Sequence, residues 1–431
     1  HFISFIKILS LIFYAHFLGA YEITVKIICF MKNYKIMLVA VIAFIGLTFG
    51  VMVLADNGND FGRYFISGSD FGIDVAKNVV GESRHEFNNG FSGDFSYGQI
   101  KALEVLGGIF NISIEPVEIY NITKNDSSAG KVSGKRGGGD GGRVYLPSDK
   151  TPWGIQKMYN NPDIISTSGG LGVDVAVLDT GVYKGHLDLS RRIGQCKDFT
   201  GRVAVKDGSC DDKNGHGTHV AGTILADGGT DNLGIYGMAP EAKLFAYKVC
   251  GNSGSCWADD IAMAIRTAAD NDAEIISMSL GSNTESSLIR DAISHAVGNG
   301  VLIVAAAGND GPTMGSIDYP GANVNVVAVG AIDINENVPN WSSRGINNND
   351  YIIEEREVEF GAPGVAVEST WIGGNYNTIS GTSMATPHIA GLAAKLWRGS
   401  VSTRSYLQSI ARDILPVGDD PATGFGLPFV Q

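Results

Sequence analysis

Positive charge is in short supply in this 431-residue chain: 32 Lys and Arg stand against 45 Asp and Glu, a formal net charge of −13 (32 − 45). That balance argues against nucleic acid as the main partner, because phosphate backbones are bound by clustered Lys and Arg. It suits a soluble exported protein, or one that binds cations. Cysteine is scarce too, with five in all, and no CxxC pair occurs, which disfavours a zinc site. Two familiar catalytic signatures are also missing. A pair of histidines, His216 and His219, lacks the glutamate of HExxH. A serine at a helix mouth, Ser383, sits in G-x-S-x-A instead of the G-x-S-x-G elbow of α/β-hydrolases.

What is present is globular. Hydrophobic residues make up 44% of the chain and charged residues 18%, and apolar runs lie between the 57 glycines. This is a loop-rich α/β composition and not a disordered one. The length leaves room for roughly two or three domains.

Residues 1–30 are apolar but interrupted by Lys7, Glu22 and Lys26, and read as upstream translation or a second apolar segment. A better export signal follows at 31–55: Met31-Lys-Asn-Tyr-Lys35 is a basic start, Ile36 to Leu54 carries no charge, and Val53-Leu-Ala55 is a small-residue cleavage pattern. The expectation is a secreted protein, with an uncleaved membrane anchor as the alternative. Past the leader remain Cys196, Cys210, Cys250 and Cys256. An even, locally clustered set suggests two disulfides in an oxidising compartment. Four cysteines allow three pairings, and the local one, Cys196–Cys210 with Cys250–Cys256, is expected.

Residues 61–123 form a compact α+β pattern. Arg63–Ser67 reads as a strand, Ser96–Leu106 as a helix with Ile100, Leu103 and Leu106 on one face, and Ile112–Ile119 as a strand. About 60 residues is small for an independent domain, so it is expected to need a partner surface. Residues 124–145 are rich in Gly, Ser and Lys and read as a flexible linker, with Lys135-Arg136 and Arg143 exposed and easily cut. From 146 to 431, buried strands (173–178, 243–249, 274–280, 301–307, 324–330) alternate with helices (257–271, 287–299). That alternation predicts a parallel sheet covered on both faces, with a site at the carboxyl ends of its strands.

Several polar residues fall at those ends. Asp179 closes the run VAVLD and would need a partner if buried. His216 opens a helix between two glycines and suits a general base near neutral pH, while His219 reads as a packed histidine. Asn309 ends the run VLIVAAAGN, where its amide could serve a developing oxyanion or an ordinary turn. A serine hydroxyl such as that of Ser383 reacts only when a base takes its proton, and the base needs a carboxylate to orient it.

Four segments in this order, VAVLDTGV, NGHGTHVAGT, AAAGNDG and GTSMATPHIAG, resemble the subtilisin-like serine protease family, and the similarity runs from about Leu146 to Phe429. The chain order Asp, His, Ser is the subtilisin order. The resemblance implies an α/β fold with a helix-covered parallel sheet, preceded by a small inhibitory propeptide at 61–123. It implies an endopeptidase acting through an acyl-enzyme, with Asp179 as orienting carboxylate, His216 as base and Ser383 as nucleophile. Asn309 and the Ser383 N–H would donate to the oxyanion. Ser279, Leu280 and Gly281, with Gly251 and Gly254, would pair with substrate backbone, and Ala307, Gly308 and Asp310 would line S1. Asp318 would lie near the bottom of S1, so two carboxylates would favour a basic P1 residue.

The resemblance also implies structural Ca²⁺ held by Asp149, Asp188 and Asp231 with main-chain oxygens of Gly229, Leu233 and Ile235, since hard oxygen ligands suit that ion. No catalytic cofactor is implied. Expected partners are peptide or protein substrates and the protein's own propeptide; no nucleic acid is expected, and the protein would be a monomer. The competing function is a catalytically silent binding protein on a protease scaffold.

Overall fold

The computed structural model describes residues 61–123, 135–136, 143, 145–202, 205–414 and 417–431. The expected leader segments 1–30 and 31–55 and most of the linker lie outside the described residues. Among the described residues, no helix is long and apolar enough to cross a membrane. The chain forms two compact units that divide after Pro116. The segment 117–123, assigned from sequence to the small domain, therefore belongs to the large unit.

In the small unit, β1 (Phe61–Gly68), α1 (Asp70–Val80), β2 (His85–Phe87), β3 (Gly90–Ser96), α2 (Tyr97–Phe110) and β4 (Ile112–Pro116) build a four-stranded antiparallel sheet, order β2-β3-β1-β4, with two helices. The expected helix starts where Ser96 and Gln99 form a reciprocal capping box. Helix α1 was not expected, because Gly72 weakens its helical signal. A side chain there would come within 2.9 Å of the Phe110 carbonyl, so glycine allows α1 to lie close to the end of α2. Ile66, Phe91, Phe95, Leu103 and Leu106 are fully or almost fully buried between these elements.

The large unit opens with β5 (Ile119–Ile122), then β6 (Lys135–Arg136) paired with β7 (Tyr145–Leu146), and the short helix α3 (Trp153–Met158). Next come β8 (Asp174–Asp179), β9 (Ile193–Asp198), β10 (Lys206–Asp207), α4 (His216–Leu225), β11 (Lys243–Lys248), β12 (Ser255–Trp257) and α5 (Ala258–Asp270). β13 (Ile275–Met278), β14 (Leu280–Gly281), α6 (Ser287–Gly298), β15 (Leu302–Ala306), β16 (Val326–Ile332) and β17 (Phe360–Pro363) follow. The hairpin β18 (Val367–Trp371) and β19 (Asn375–Ile379) leads into α7 (Thr382–Lys395), and α8 (Ser400–Ile410) comes last among the helices.

The main sheet has eight strands in the order β10-β9-β11-β8-β13-β15-β16-β17, all parallel except β10. Its central strands are mostly apolar because helices cover both faces, as in other parallel sheets. The chain steps one way from β8 to β9 and β11, then the other way from β13 to β17. The switch point therefore falls between β8 and β13, where a ligand crevice is expected beyond the strand ends. Strands β9 and β17 escaped the sequence reading: Ile193–Asp198 is mostly polar, and Phe360–Pro363 is short and ends in proline.

Both expected disulfides are present, Cys196–Cys210 and Cys250–Cys256. The first ties β9 to the loop that leads into α4, and its sequence separation is 14 residues. Closing a loop of that size stabilises by about 3 kcal/mol. A Cys196→Ala/Cys210→Ala variant should lose roughly that much in a urea titration; an unchanged midpoint would contradict it.

Candidate active site

Asp179 ends β8 and is 1% exposed. Its Oδ1 accepts the Thr180 N–H at 2.7 Å and lies 2.8 Å from Nδ1 of His216, with Oδ2 at 3.0 Å. A carboxylate buried without partners would be strongly destabilising, and here the imidazole is one of the partners. His216 is equally buried, and its Nε2 has no hydrogen-bond partner. With Nδ1 directed at the carboxylate, the ring keeps its other nitrogen unpaired.

The position of His216 is set by a residue that the sequence reading missed. Helix α4 begins after Gly215, whose φ of 105° favours glycine and where a side chain would strike the Trp371 ring. Glycine has no side chain with which to cap. Asp212 takes that role from outside the helix: it accepts from the N–H groups of Asn214, Gly215 and Thr218 and from the hydroxyls of Thr218 and Thr180. The local signal was an acidic residue shortly before a glycine-led helix. Lys248, also missed, is buried and donates to the carbonyls of Thr180 and Cys250. Burial pushes its pKa down, against the nearby carboxylates. His219 is packed as expected: it is fully buried, lies 2.9 Å from the Val367 carbonyl, and burial pushes its pKa down to about 3.

Ser383 is the second residue of α7 and is fully buried. Pro387 is the sixth residue and sits deeper than the first turn, where a proline is harmless. It cannot donate to the Ser383 carbonyl, and the Ser279 hydroxyl fills that place at 2.9 Å. Asn309 accepts from the N–H and hydroxyl of Thr382 at 3.0 and 3.1 Å. A backbone N–H can only donate, so these contacts fix the amide oxygen and direct the Asn309 NH2, buried and without a partner, elsewhere. An unused amide donor thus stands beside the helix start that carries the serine.

The chain's own segment lies in the neighbouring groove. β5 is the middle strand between β12 and β14, antiparallel to both. Leu280 and Gly281, expected to pair with substrate backbone, pair here with the chain's own β5, and the Ser279 carbonyl accepts the Thr123 N–H at 3.2 Å. On the other side Gly254 accepts the Ile122 N–H at 3.0 Å, but the paired strand is Ser255–Trp257, and Gly251 only closes the turn before it. Tyr120 is fully buried, donating to the Thr284 carbonyl and accepting from the Ser286 N–H. At the end of β5 the Thr123 carbonyl oxygen accepts from the Ser383 N–H at 3.3 Å and from the Ser383 hydroxyl at 2.5 Å. Ser383 Oγ also lies 2.6 Å from the Thr123 hydroxyl and 3.0 Å from the Ser279 carbonyl oxygen, which competes for its single proton.

Beside this point, Asp318 is buried and accepts nothing through its side chain from the groups around it that the structure describes. Its N–H donates to the Ala307 carbonyl at 2.9 Å, and its carboxylate lies so close to Gly308 and Gly281 that any side chain there would collide with it. Burial, then the charge of Asp310, raises its pKa to about 7. Asp310 itself is exposed.

The expected metal ligands are partly together. Asp188 is fully buried, and its Oδ2 accepts from the Ile235 N–H at 3.0 Å and the Tyr376 hydroxyl at 2.8 Å. Asp231 and the backbone of Gly229 complete one side of the cage. The Ile235 carbonyl accepts from Gly228 at 2.9 Å, that of Gly229 from Asn232 at 3.4 Å, and Leu233 donates its N–H to Asp231. Asp149 makes its hydrogen bonds elsewhere, with the Thr151 N–H and the Gln156 amide, because the chain turns there into α3. A cation is nonetheless in the cage: the guanidinium of Arg143. That residue is 8% exposed, which corrects its assignment as an exposed linker cleavage point.

The family model for the subtilase family matches residues 170–409, which hold Asp179, His216, Asn309 and Ser383. The chain belongs to the subtilase family. A subtilisin from Bacillus sp. (strain TA39) is 45% identical over 403 residues, covering 88% of this chain and 93% of the relative. The M-protease of Shouchella clausii (strain KSM-K16) is 39% identical over 290 residues, covering 66% of this chain and 70% of its own. Among solved structures, the S41 psychrophilic protease matches with a TM-score of 0.64 and 54% identity, and sphericase with 0.65 and 52%. Each covers 66% of this chain and 99% of its own. This subtilase is a serine endopeptidase with the α/β subtilisin fold.

The Asp212 cap gives a kinetic prediction. Asp212→Ala should lower kcat by on the order of 10-fold to 10²-fold with little change in KM, because a small displacement of a reacting group is costly while the groove is untouched. Asp212→Asn should recover part of the loss. Parallel changes in kcat and KM would count against a positioning role.

Proposed function

We propose that this subtilase is a secreted, self-processing precursor whose first substrate is its own Thr123–Lys124 bond. Its main support is the seating of Thr123, whose carbonyl oxygen rests on the Ser383 N–H and hydroxyl at the end of a strand held on both edges. Strand addition of this kind places a peptide by main-chain hydrogen bonds and leaves selectivity to side-chain pockets.

In the proposed reaction His216 Nε2 takes the Ser383 hydroxyl proton while Oγ bonds to the Thr123 carbonyl carbon. The carbonyl π pair moves to oxygen, where the Ser383 N–H and the free Asn309 amide stabilise the negative charge. Asp179 holds the imidazole by Nδ1 and stabilises its charged form. Collapse breaks the C–N bond, and the imidazolium gives its proton to the Lys124 amine. Water, deprotonated by the same histidine, then bonds to the acyl carbon, the bond from that carbon to Oγ breaks, and the imidazolium returns its proton to Ser383. The residues 61–123 would act as an inhibitory propeptide, because Ile119–Thr123 fills the groove that a substrate needs. Residues 31–55 would direct export.

The cage of Asp188 and Asp231 fits a structural Ca²⁺: two carboxylates with carbonyl oxygens of Gly229, Leu233 and Ile235 are a hard-oxygen set, and it already accommodates positive charge. Bound calcium would hold the 229–235 loop against the core. We also propose that Asp318 makes S1 favour a basic P1 residue once it is ionised.

Wild type should be secreted with Lys124 as its new N-terminus, and Ser383→Ala should stay uncut. A serine-directed fluorophosphonate should label the first and not the second. Equal labelling, or a new N-terminus far from Lys124, would defeat the proposal. Asn309→Ala should process more slowly; loss of such a donor costs on the order of 10²–10³ in rate, a magnitude known from subtilisin itself.

For S1 the expectation depends on pH. Asp318 is neutral below its raised pKa of about 7 and charged above it. The ratio of kcat/KM for Arg-P1 over Phe-P1 peptides should therefore rise across that value in the wild type and stay flat in Asp318→Asn. The same flat ratio in both would remove Asp318 from specificity.

A further inference from the structure

We propose that Arg143 is a built-in cation that occupies the Asp188–Asp231 cage in place of a divalent ion, and that Ca²⁺ can enter only by displacing its guanidinium. This rests on the reading of the cage as a calcium site.

All three guanidinium nitrogens are engaged. Its Nε donates to Asp231 Oδ2 at 3.0 Å, and Nη2 donates to Asp231 Oδ1 at 3.0 Å and to Asp188 Oδ1 at 2.5 Å, with the Gly228 carbonyl oxygen 3.4 Å away. Nη1 donates to the Tyr376 hydroxyl, which in turn donates to Asp188 Oδ2. The Arg143 side chain is 3% exposed and that of Asp188 is 0% exposed. Burial works against the charge on Arg143, but the two carboxylates outweigh it, and its pKa lies above the usual arginine value. Planar, bidentate pairing of this kind is what a guanidinium does and an ammonium cannot.

The two cations cannot coexist there. Calcium binds oxygens at about 2.3–2.6 Å, and the oxygens it would use on Asp188 and Asp231 are the ones that accept from Nη2 and Nε. A Cβ built on Gly229 marks the same spot: it would lie 2.3 Å from Arg143 Nη2, 3.0 Å from Asp188 Oδ1 and 3.1 Å from Asp231 Oδ1. The competitor is tethered. Arg143 stands two residues before β7, which is fixed by pairing with β6, so its charge is supplied at high effective concentration. The cage is thus neutralised without an ion, and calcium affinity is lowered by the work of expelling the side chain.

The test compares full-length Ser383→Ala, which keeps the chain in one piece, with Ser383→Ala/Arg143→Gln. Calcium is titrated into each by isothermal calorimetry after EDTA treatment, and the binding event is assigned to the cage by its loss in Asp231→Asn. Removing the tethered charge should tighten the calcium Kd at least about tenfold. In EDTA the Gln variant should unfold at lower urea than its parent, and calcium should close the gap. A merely structural arginine would lower the EDTA midpoint and leave the Kd unchanged, which would overturn the proposal while leaving the calcium reading intact. Calcium binding to neither protein would overturn both. If the Gln variant fails to fold, Arg143→Lys keeps the charge but loses the fork. Its Kd should fall below that of the parent, and an identical Kd would again overturn the proposal.

Discussion

A carboxylate sealed at the end of an apolar strand is the constraint on which this molecule depends. Asp179 lies at the centre of an eight-stranded sheet, 1% exposed, and several kcal/mol of desolvation would count against folding if it stood alone. Its partners are the Thr180 N–H and the ring of His216. The histidine reaches it only because α4 starts where it does, and that start depends on Asp212 and on a glycine conformation at 215. The satisfaction of one buried charge thus fixes the orientation of an imidazole and leaves its other nitrogen free. Stability and chemistry share the same few hydrogen bonds.

The second organising element is the main chain of the groove. Two short strands, Ser255–Trp257 and Leu280–Gly281, hold Ile119–Thr123 between them. The Cys250–Cys256 bond brackets the turn that offers the Gly254 carbonyl, so one edge of the groove is held covalently. Backbone pairing accepts almost any sequence, and the buried Tyr120 adds a side-chain anchor.

Much of the site could be read from sequence because its parts are local. VAVLD, NGHGTHVAGT and GTSMATPHIAG each carry a reactive residue at the junction of an apolar strand or helix with a turn, and such junctions leave a mark within ten residues. What escaped depends on distant pairing. Nothing near Arg143 indicates that it will enter a cage made by Asp188 and Asp231; the glycines around it suggested an exposed, flexible chain. Nor could the boundary of the small unit be placed, since Val117–Thr123 reads as a continuation of a strand and is claimed by edges more than 130 residues later in the sequence. Asp149 was placed in the cage by resemblance, but the local geometry at the start of α3 uses its carboxylate differently. The proline inside α7 is likewise accommodated by a distant partner, the Ser279 hydroxyl.

That accommodation has a consequence for how such an enzyme can change. Ser279 borders the groove through its carbonyl, which receives the Thr123 N–H, while its hydroxyl replaces the helix bond that Pro387 cannot make to Ser383. One residue therefore belongs both to the surface that selects a peptide and to the scaffold that aims the nucleophile. Variation at 279 cannot retune selectivity as an independent module. Any sequence drifting there carries the turnover rate along with the specificity, and exploration of new substrates is diverted to side chains elsewhere along the groove.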